Sequence, residues 1–266
     1  MHVIALEYHD VVGDDGWDDS GFPGVAAASY KLLLTEFDSH LRALHRASSS
    51  GQVRPPTTLG VGSAFPTTVL TFDDGGSSAY REIAPRLEQH GWRGHFFLPT
   101  DFIGRRGFLS SPELRDLSSR GHIIGTHSAS HPLRMSAQRY DEVVAEWTRS
   151  MDVLAQLLGT PVTIGSVPGG GYSRVVAKAA AAAGLRALFT SEPTTRVKLV
   201  DGCIVAGRYT LRRGDSARCA VALACGSGSP RVRQWLRWNT TKLAKAVGGP
   251  LYLQIRGAWF ERFGAR

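Results

Sequence analysis

Thr68-Val69-Leu70-Thr71-Phe72 runs without a break into Asp73-Asp74-Gly75-Gly76. A β-branched and aromatic run closed by an Asp/Gly turn predicts a strand that ends in polar residues. The residues beyond it are spaced for a helix, with Ile83 and Leu87 facing inward and Gly91 as its C-terminal stop. Strand, polar turn and helix form one βα unit.

The unit repeats in both directions. Val3–Tyr8 predicts a first strand. Thr35-Glu36-Phe37-Asp38 has capping-box spacing and opens a helix with Phe37, Leu41 and Leu44 on one face. Ser48–Pro66 is rich in Ser, Gly and Pro and predicts a loop. Gly94–Leu98 predicts a strand, and Ser111-Pro112 starts a helix that Gly121 ends. His122–Gly125 predicts a strand and Ser136–Leu158 a long helix. Val162–Val167 and Arg186–Thr190 predict strands around a helix at Tyr172–Ala183. Strand and helix alternate at least five times, which implies parallel strands with helices outside, as a barrel or an open sheet. After residue 200 the pattern weakens, with helical periodicity at residues 231–247 and 251–263. A chain of 266 residues is within the range α/β barrels use as a single unit, and 42% hydrophobic against 20% charged residues suits a globular protein.

Other classes fall away. The start, Met1-His2-Val3-Ile4-Ala5-Leu6-Glu7, has no basic stretch before an apolar run and does not read as a signal peptide, and no window reaches membrane-span length. Cys203, Cys219 and Cys225 are odd in number and lack metal or disulfide spacing, so they read as reduced, buried residues of a cytoplasmic protein. The net charge of +8 is uneven: residues 196–266 hold fourteen basic side chains against Asp201, Asp215 and Glu261. Such a tail attracts an anionic membrane or a substrate diphosphate, or is simply a solvated basic face. No nucleic-acid motif is present, so nucleic acid is not expected as a partner. Gly169-Gly170-Gly171 lacks the Gly-Lys-Ser/Thr of a phosphate loop.

In parallel α/β proteins the C-terminal ends of strands build the site. His9, Asp73 and Asp74, His127 with His131, and Pro168–Gly171 all fall there. Two adjacent carboxylates repel unless a cation is present, and a divalent metal could take one and leave the other as a base. His127 and His131 are four apart, which brings two imidazoles to one metal if the segment turns like a helix. His-x-x-x-His alone is weak, and no Glu makes it a metalloprotease pattern. Two histidines and one carboxylate with open positions nevertheless describe a catalytic metal site.

Thr71-Phe72-Asp73-Asp74-Gly75 followed by His127-Ser128-Ala129-Ser130-His131 resembles the polysaccharide deacetylase family, also called NodB-homology or carbohydrate esterase 4. Phe96-Phe97-Leu98-Pro99-Thr100 resembles a family strand between the two motifs. The resemblance implies a distorted (β/α) barrel over residues 1–200, with residues 201–266 as a basic helical extension that completes or packs on it. It implies a divalent metal, Zn2+ first, on Asp74, His127 and His131, with Asp73 as general base. The substrate would be an N-acetylated amino sugar, free, nucleotide-linked, lipid-linked or in a glycoconjugate. Two other readings stay open: a non-catalytic glycan-binding protein with a relic metal site, and an amidase on a non-carbohydrate N-acyl group.

Two departures stand out. The family's Arg-x-Pro-x-Gly appears as Ser166-Val167-Pro168-Gly169-Gly170, so the arginine that orients the base is missing, while the Gly169 N–H could still face an oxyanion. After residue 195 there is no histidine for the family's late acid. Leu6-Glu7-Tyr8-His9-Asp10-Val11 is similar to the opening of the poly-N-acetylglucosamine deacetylases, whose motif order is permuted with the acid histidine first. That resemblance implies His9 as general acid. A cytoplasmic protein, with peripheral membrane attachment through the tail as a further expectation, would meet a metabolite or linked sugar rather than extracellular polymer.

Overall fold

A computed structural model describes residues 2–14, 16–58 and 67–241. In chain order the elements are β1 (Val3–Tyr8), β2 (Val11–Val12), α1 (Val25–Ala28), β3 (Leu32–Leu33), α2 (Leu34–Ser49), β4 (Thr67–Phe72), α3 (Ala84–Gln89), β5 (His95–Leu98), α4 (Ser111–Ser119) and β6 (Ile123–Thr126). Then come α5 (Tyr140–Leu158), β7 (Ile164–Ser166), α6 (Arg174–Ala182), β8 (Ala187–Phe189), β9 (Val197–Val200), β10 (Cys203–Ala206), β11 (Tyr209–Thr210) and α7 (Ala217–Cys225). Residues 230–241 are helical too.

Nine strands form one sheet in the order β11-β1-β4-β5-β6-β7-β8-β10-β9. Every pair is parallel except β9–β10. The sheet curls until its first strand meets the segment before β9, where Val3 N–H donates to the Thr195 carbonyl at 3.1 Å and His2 bridges Arg196. The result is a distorted (β/α) barrel. Its interior is filled from six strands by Val3, Ala5, Val69, Phe97, Ile164, Phe189 and Ala206. Outside, Leu6, Tyr8, Leu70, Phe72 and Phe96 pack under α2, α3, α4 and α7, and Trp147 of α5 packs with α6 against β8 and β10. Side chains of one strand alternate between these two cores, as the two-residue period requires.

The expected division at 200/201 falls between β9 and β10, antiparallel neighbours in one sheet. Residues 203–210 thus supply two strands where the sequence pattern had weakened, and α7 packs on α2. The capping reading of Thr35 is corrected: α2 starts at Leu34, and Glu36 Oε2 accepts the Leu33 N–H at 2.9 Å. The long helix starts at Tyr140 rather than Ser136, after a 3₁₀ turn at Met135–Ala137. The helix expected at residues 251–263, the end of that at 231–247, and the end of the Ser48–Pro66 loop lie outside the described residues. Of the three cysteines, all free, Cys203 is buried but Cys225 is exposed, so the buried reading does not hold for Cys225.

Candidate active site

The strand ends converge on one cavity of about 1320 Å³. Its lining includes His9, Asp73, Asp74, His127, His131 and Gly169, though not Pro168 or Gly171 of the glycine run.

The turn after β4 aims the two carboxylates apart. Asp73 is held in sheet register by its N–H, which donates to the Tyr8 carbonyl at 3.0 Å. Asp74 takes a left-handed φ of 71°, unusual for a residue with a Cβ. Gly75 follows at φ 66°, and a Cβ there would sit 2.5 Å from Leu98 Cβ, so only glycine fits. Gly76 is equally constrained: a Cβ would run into the Asp10 carboxylate and the Ser20 hydroxyl. Asp10 Oδ1 accepts from Ser20 Oγ at 2.6 Å and from Ser78 Oγ at 2.7 Å, while Ser78 Oγ accepts the Val11 N–H. That buried knot ties the end of β1, and with it His9, to the turn carrying Asp74.

His127 and His131 come together by a bend and not by the helical turn the spacing suggested. Ser128 and His131 both have positive φ, 65° and 57°, and His131 N–H donates to Ser128 Oγ at 3.1 Å. Glu146 of α5 clamps the bend by accepting from Ala129 N, Ser130 N and Ser130 Oγ at 2.8–3.0 Å. His127 Nε2 and His131 Nε2 then lie 3.5 and 3.3 Å from the same oxygen, Asp74 Oδ1. One donor atom from each of the three lies within 4.8 Å of the others.

The donor set fits a divalent cation such as zinc. Ser166 Oγ donates to Asp73 Oδ1 at 3.2 Å, so its contact with His127 Nδ1 at 2.6 Å needs the ring to be the donor. Nδ1 therefore carries the proton and Nε2 keeps its lone pair on the Asp74 side, the tautomer a metal ligand requires. Burial works to raise the Asp74 carboxyl, but the His127 and His131 imidazoles beside it hold it well below the usual range.

The arginine missing at residue 166 is replaced from elsewhere. Arg208, fully buried between β10 and β11, forks onto Asp73, Nη1 to Oδ1 and Nη2 to Oδ2, both at 2.7 Å. It also pairs with buried Glu7 at 2.7 Å and donates to Thr71 Oγ1 at 3.1 Å. Burial works to raise the Asp73 carboxyl; the Arg208 guanidinium leads the interactions that outweigh it and keep Asp73 ionised. Sequence reasoning missed Arg208. The signal available was its place two residues after an apolar strand, Cys203-Ile204-Val205-Ala206, much as Asp73 and Asp74 follow β4.

His9 sits on the other side of Asp73. Glu7, His9 and Asp73 each offer one atom within 4.8 Å of the others. The His9 ring lies tilted against Tyr30, with ring centres 4.8 Å apart, and its buried Nδ1 has no partner among the described residues. A buried ring nitrogen without a partner is rare in a structural histidine. His122, by contrast, accepts the Gly94 N–H at 3.1 Å and meets Glu88 at 2.9 Å, a structural arrangement. Gly169, at φ 60°, lines the cavity beside Leu133.

Residues 62–188 match the family model described as polysaccharide deacetylase. Over 169 residues the chain is 24% identical to the Bacillus subtilis (strain 168) protein YxkH, named as a polysaccharide deacetylase, covering 62% of this chain and 60% of that one. Over 91 residues it is 30% identical to a peptidoglycan-N-acetylglucosamine deacetylase of Bacillus cereus, covering 34% of this chain and 31% of that one. The matches thus span less than two thirds of either relative. The fold is similar to that of IcaB from Ammonifex degensii, with a TM-score of 0.64, 19% identity, and coverage of 84% of this chain and 97% of that one. Family model, motif pairs and barrel agree: residues 62–188 match a polysaccharide deacetylase domain, and the comparisons support the NodB-homology, carbohydrate esterase 4 family for this chain.

Proposed function

We propose that this protein is a metal-dependent hydrolase that removes an N-acetyl group from an amino sugar. One observation carries the reading: Asp74, His127 and His131 converge beside an Asp73 that Arg208 and Ser166 hold ionised and aimed. The B. cereus relative's name gives N-acetylglucosamine as the first sugar to try.

Asp74, His127 and His131 would hold the cation, with Zn2+ favoured by two imidazoles and a carboxylate. When bound, such an ion lowers the pKa of a water toward about 7 and polarises an acyl oxygen. Asp73 accepts the proton of the attacking water. The Arg208 fork fixes both carboxylate oxygens, so the base does not rotate away between turnovers. The Gly169 N–H faces the oxyanion as charge develops on the acyl oxygen. His9 gives a proton to the leaving nitrogen, the C–N bond breaks, and acetate and a free amine leave. The place of His9 in the cavity lining, with one ring nitrogen within 4.8 Å of Asp73, supports that role.

The missing arginine at residue 166 had favoured a non-catalytic glycan binder; the Arg208 fork supports catalysis instead. A cytoplasmic location belongs to the same proposal. Three free cysteines suit a reducing compartment, and burial pushes the Cys203 thiol up to about 12, which makes it inert. No helix among the described residues is long and apolar enough to cross a membrane.

The test is acetate release. Zinc-loaded protein should liberate acetate from N-acetylglucosamine donors, and a chelator should stop it. Asp73→Asn and His9→Ala should each lower kcat by about 10²–10⁴-fold. Full activity of Asp73→Asn would remove the base assignment, and a His9→Ala rate within severalfold of the parent would remove the acid.

A further inference from the structure

The cavity has a second wall, and it is cationic. Arg212, Arg213, Arg218 and Arg233 all line the cavity that holds the Asp74–His127–His131 cluster. Arg212 stacks over Tyr30 at 4.4 Å and donates to its hydroxyl at 3.0 Å, and Tyr30 in turn lies tilted against His9. Arg213 lies 3.2 Å over Trp17. Arg218 stands in the first turn of α7, and Arg233 Nη2 donates to Ser229 Oγ at 3.2 Å. The wall therefore begins one ring, Tyr30, from the proposed acid and runs out to solvent, where Arg213, Arg218 and Arg233 are exposed.

None of these four guanidinium groups pairs with a carboxylate among the described residues. Elsewhere on the molecule, Arg86, Arg120 and Arg149 meet carboxylates at 2.7–3.0 Å. The cavity's acids offset only part of the wall's charge, because Asp215 alone among them stands free of another cation or histidine. Glu7 and Asp73 belong to Arg208, Asp74 to the histidines, and Asp215 Oδ2 accepts the Arg212 backbone N–H. Four like charges on one concave surface repel and raise the local potential, a cost that is offset when an anion binds. A neutral glycan offers only hydroxyls and amides, which need no such field. Guanidinium forks match phosphate oxygens in charge and geometry.

We infer that the substrate of the proposed deacetylation carries a phosphate or diphosphate group, held by Arg212, Arg213, Arg218 and Arg233 while its N-acylated sugar reaches the Asp74–His127–His131 cluster. This rests on the deacetylase reading and narrows its substrate class. The phosphate could be that of a nucleotide-linked, lipid-linked or free sugar phosphate; the recognition chemistry is shared.

Four donors test it on the zinc-loaded protein by acetate release: uridine-diphosphate N-acetylglucosamine, N-acetylglucosamine 1-phosphate, polyprenyl-diphosphate N-acetylglucosamine in neutral micelles, and neutral chitotetraose. Inorganic pyrophosphate is titrated in parallel by calorimetry. We expect kcat/KM for at least one phosphorylated donor to exceed that for chitotetraose by about tenfold or more, the equivalent of one charge-assisted contact. In Arg218→Gln/Arg233→Gln that ratio should fall at least tenfold through KM, and pyrophosphate affinity should fall with it and with added salt. Either a nucleotide or a lipid donor at the top supports the inference and names the source. An unchanged ratio in the double variant, or pyrophosphate that does not bind the parent, overturns it. Acetate from none of the four donors overturns the deacetylase reading itself, and the calorimetry still decides the arginines.

Discussion

Arg208 and Ser166 together do at this site what one arginine does in the family's third motif. Ser166 occupies the arginine's place in the chain and hydrogen-bonds both Asp73 and His127. Arg208 supplies the charge from the turn between β10 and β11. The pair makes separable predictions. Arg208→Lys keeps the charge but loses the fork, and kcat should drop about 10–100-fold, as for other partners that orient a reacting group. Arg208→Met leaves Glu7 and Asp73 as buried carboxylates without their cation and should destabilise the fold by about 3–5 kcal/mol, read by urea denaturation. Ser166→Ala removes one of the hydrogen bonds that aim Asp73, while the Ser166 carbonyl, 3.0 Å from His127 Nδ1, still fixes the ring's tautomer; kcat should fall about 10–100-fold while zinc affinity, measured by chelator competition, and the melting temperature move little. A tenfold or larger loss of zinc affinity in Ser166→Ala would break the tautomer argument.

The bend carrying His127 and His131 depends on a neighbouring helix for its shape. Its two positive-φ residues are not glycine, so its backbone is costly on its own. The three hydrogen bonds to Glu146, in α5, offset that cost. Glu146→Ala should therefore loosen His131 without touching a proposed ligand. The expected outcome is a 10–100-fold weaker zinc affinity with helix content unchanged by circular dichroism. The α5 helix is itself anchored by Trp147, which is fully buried next to Glu146 in the chain. Trp147→Ala should cost about 3–5 kcal/mol of stability.

Over the whole molecule, α7 closes the barrel's outer layer against α2, and a histidine sits at their junction. His40 Nε2 lies 2.7 Å from the Asp215 carbonyl, and burial holds its pKa below the ordinary value of about 6.5. His122 is shifted in the same direction, again by burial. The sign follows directly. Both rings are neutral in either state above about pH 6.5; below it the unfolded chain takes up protons that the folded chain refuses, so stability falls as pH falls. The melting temperature should drop from pH 7.5 to pH 5.5. His40→Gln, which can still donate to the Asp215 carbonyl, should show a smaller drop. A His40→Gln variant with the same pH slope as the parent would remove His40 from the account.

Local chemistry made much of this protein readable in one dimension. Apolar runs ending in Asp-Asp-Gly or in histidine mark the C-terminal ends of β4 and β6, because strand ends are where a parallel sheet exposes polar residues. The proposed metal ligands, Asp73, His9 and Gly169 all lie on such ends, and the structure brings them into one cavity. Other features were beyond reach of periodicity. The strands at Cys203–Ala206 and Tyr209–Thr210 are too short to show an alternation, and they exist because β8 and β1 offer open edges to pair with. Arg208 looks like one of fourteen cations until the sheet curls and carries it 135 positions back to Asp73. The histidine pair suggested a helix, because spacing cannot tell a helical turn from a bend that a distant glutamate holds. The arginine wall was visible only as net charge; its aim into the cavity comes from how α7 and residues 230–241 pack. The strand ends set the chemistry available, and long-range packing chose which charges stand behind it and beside it.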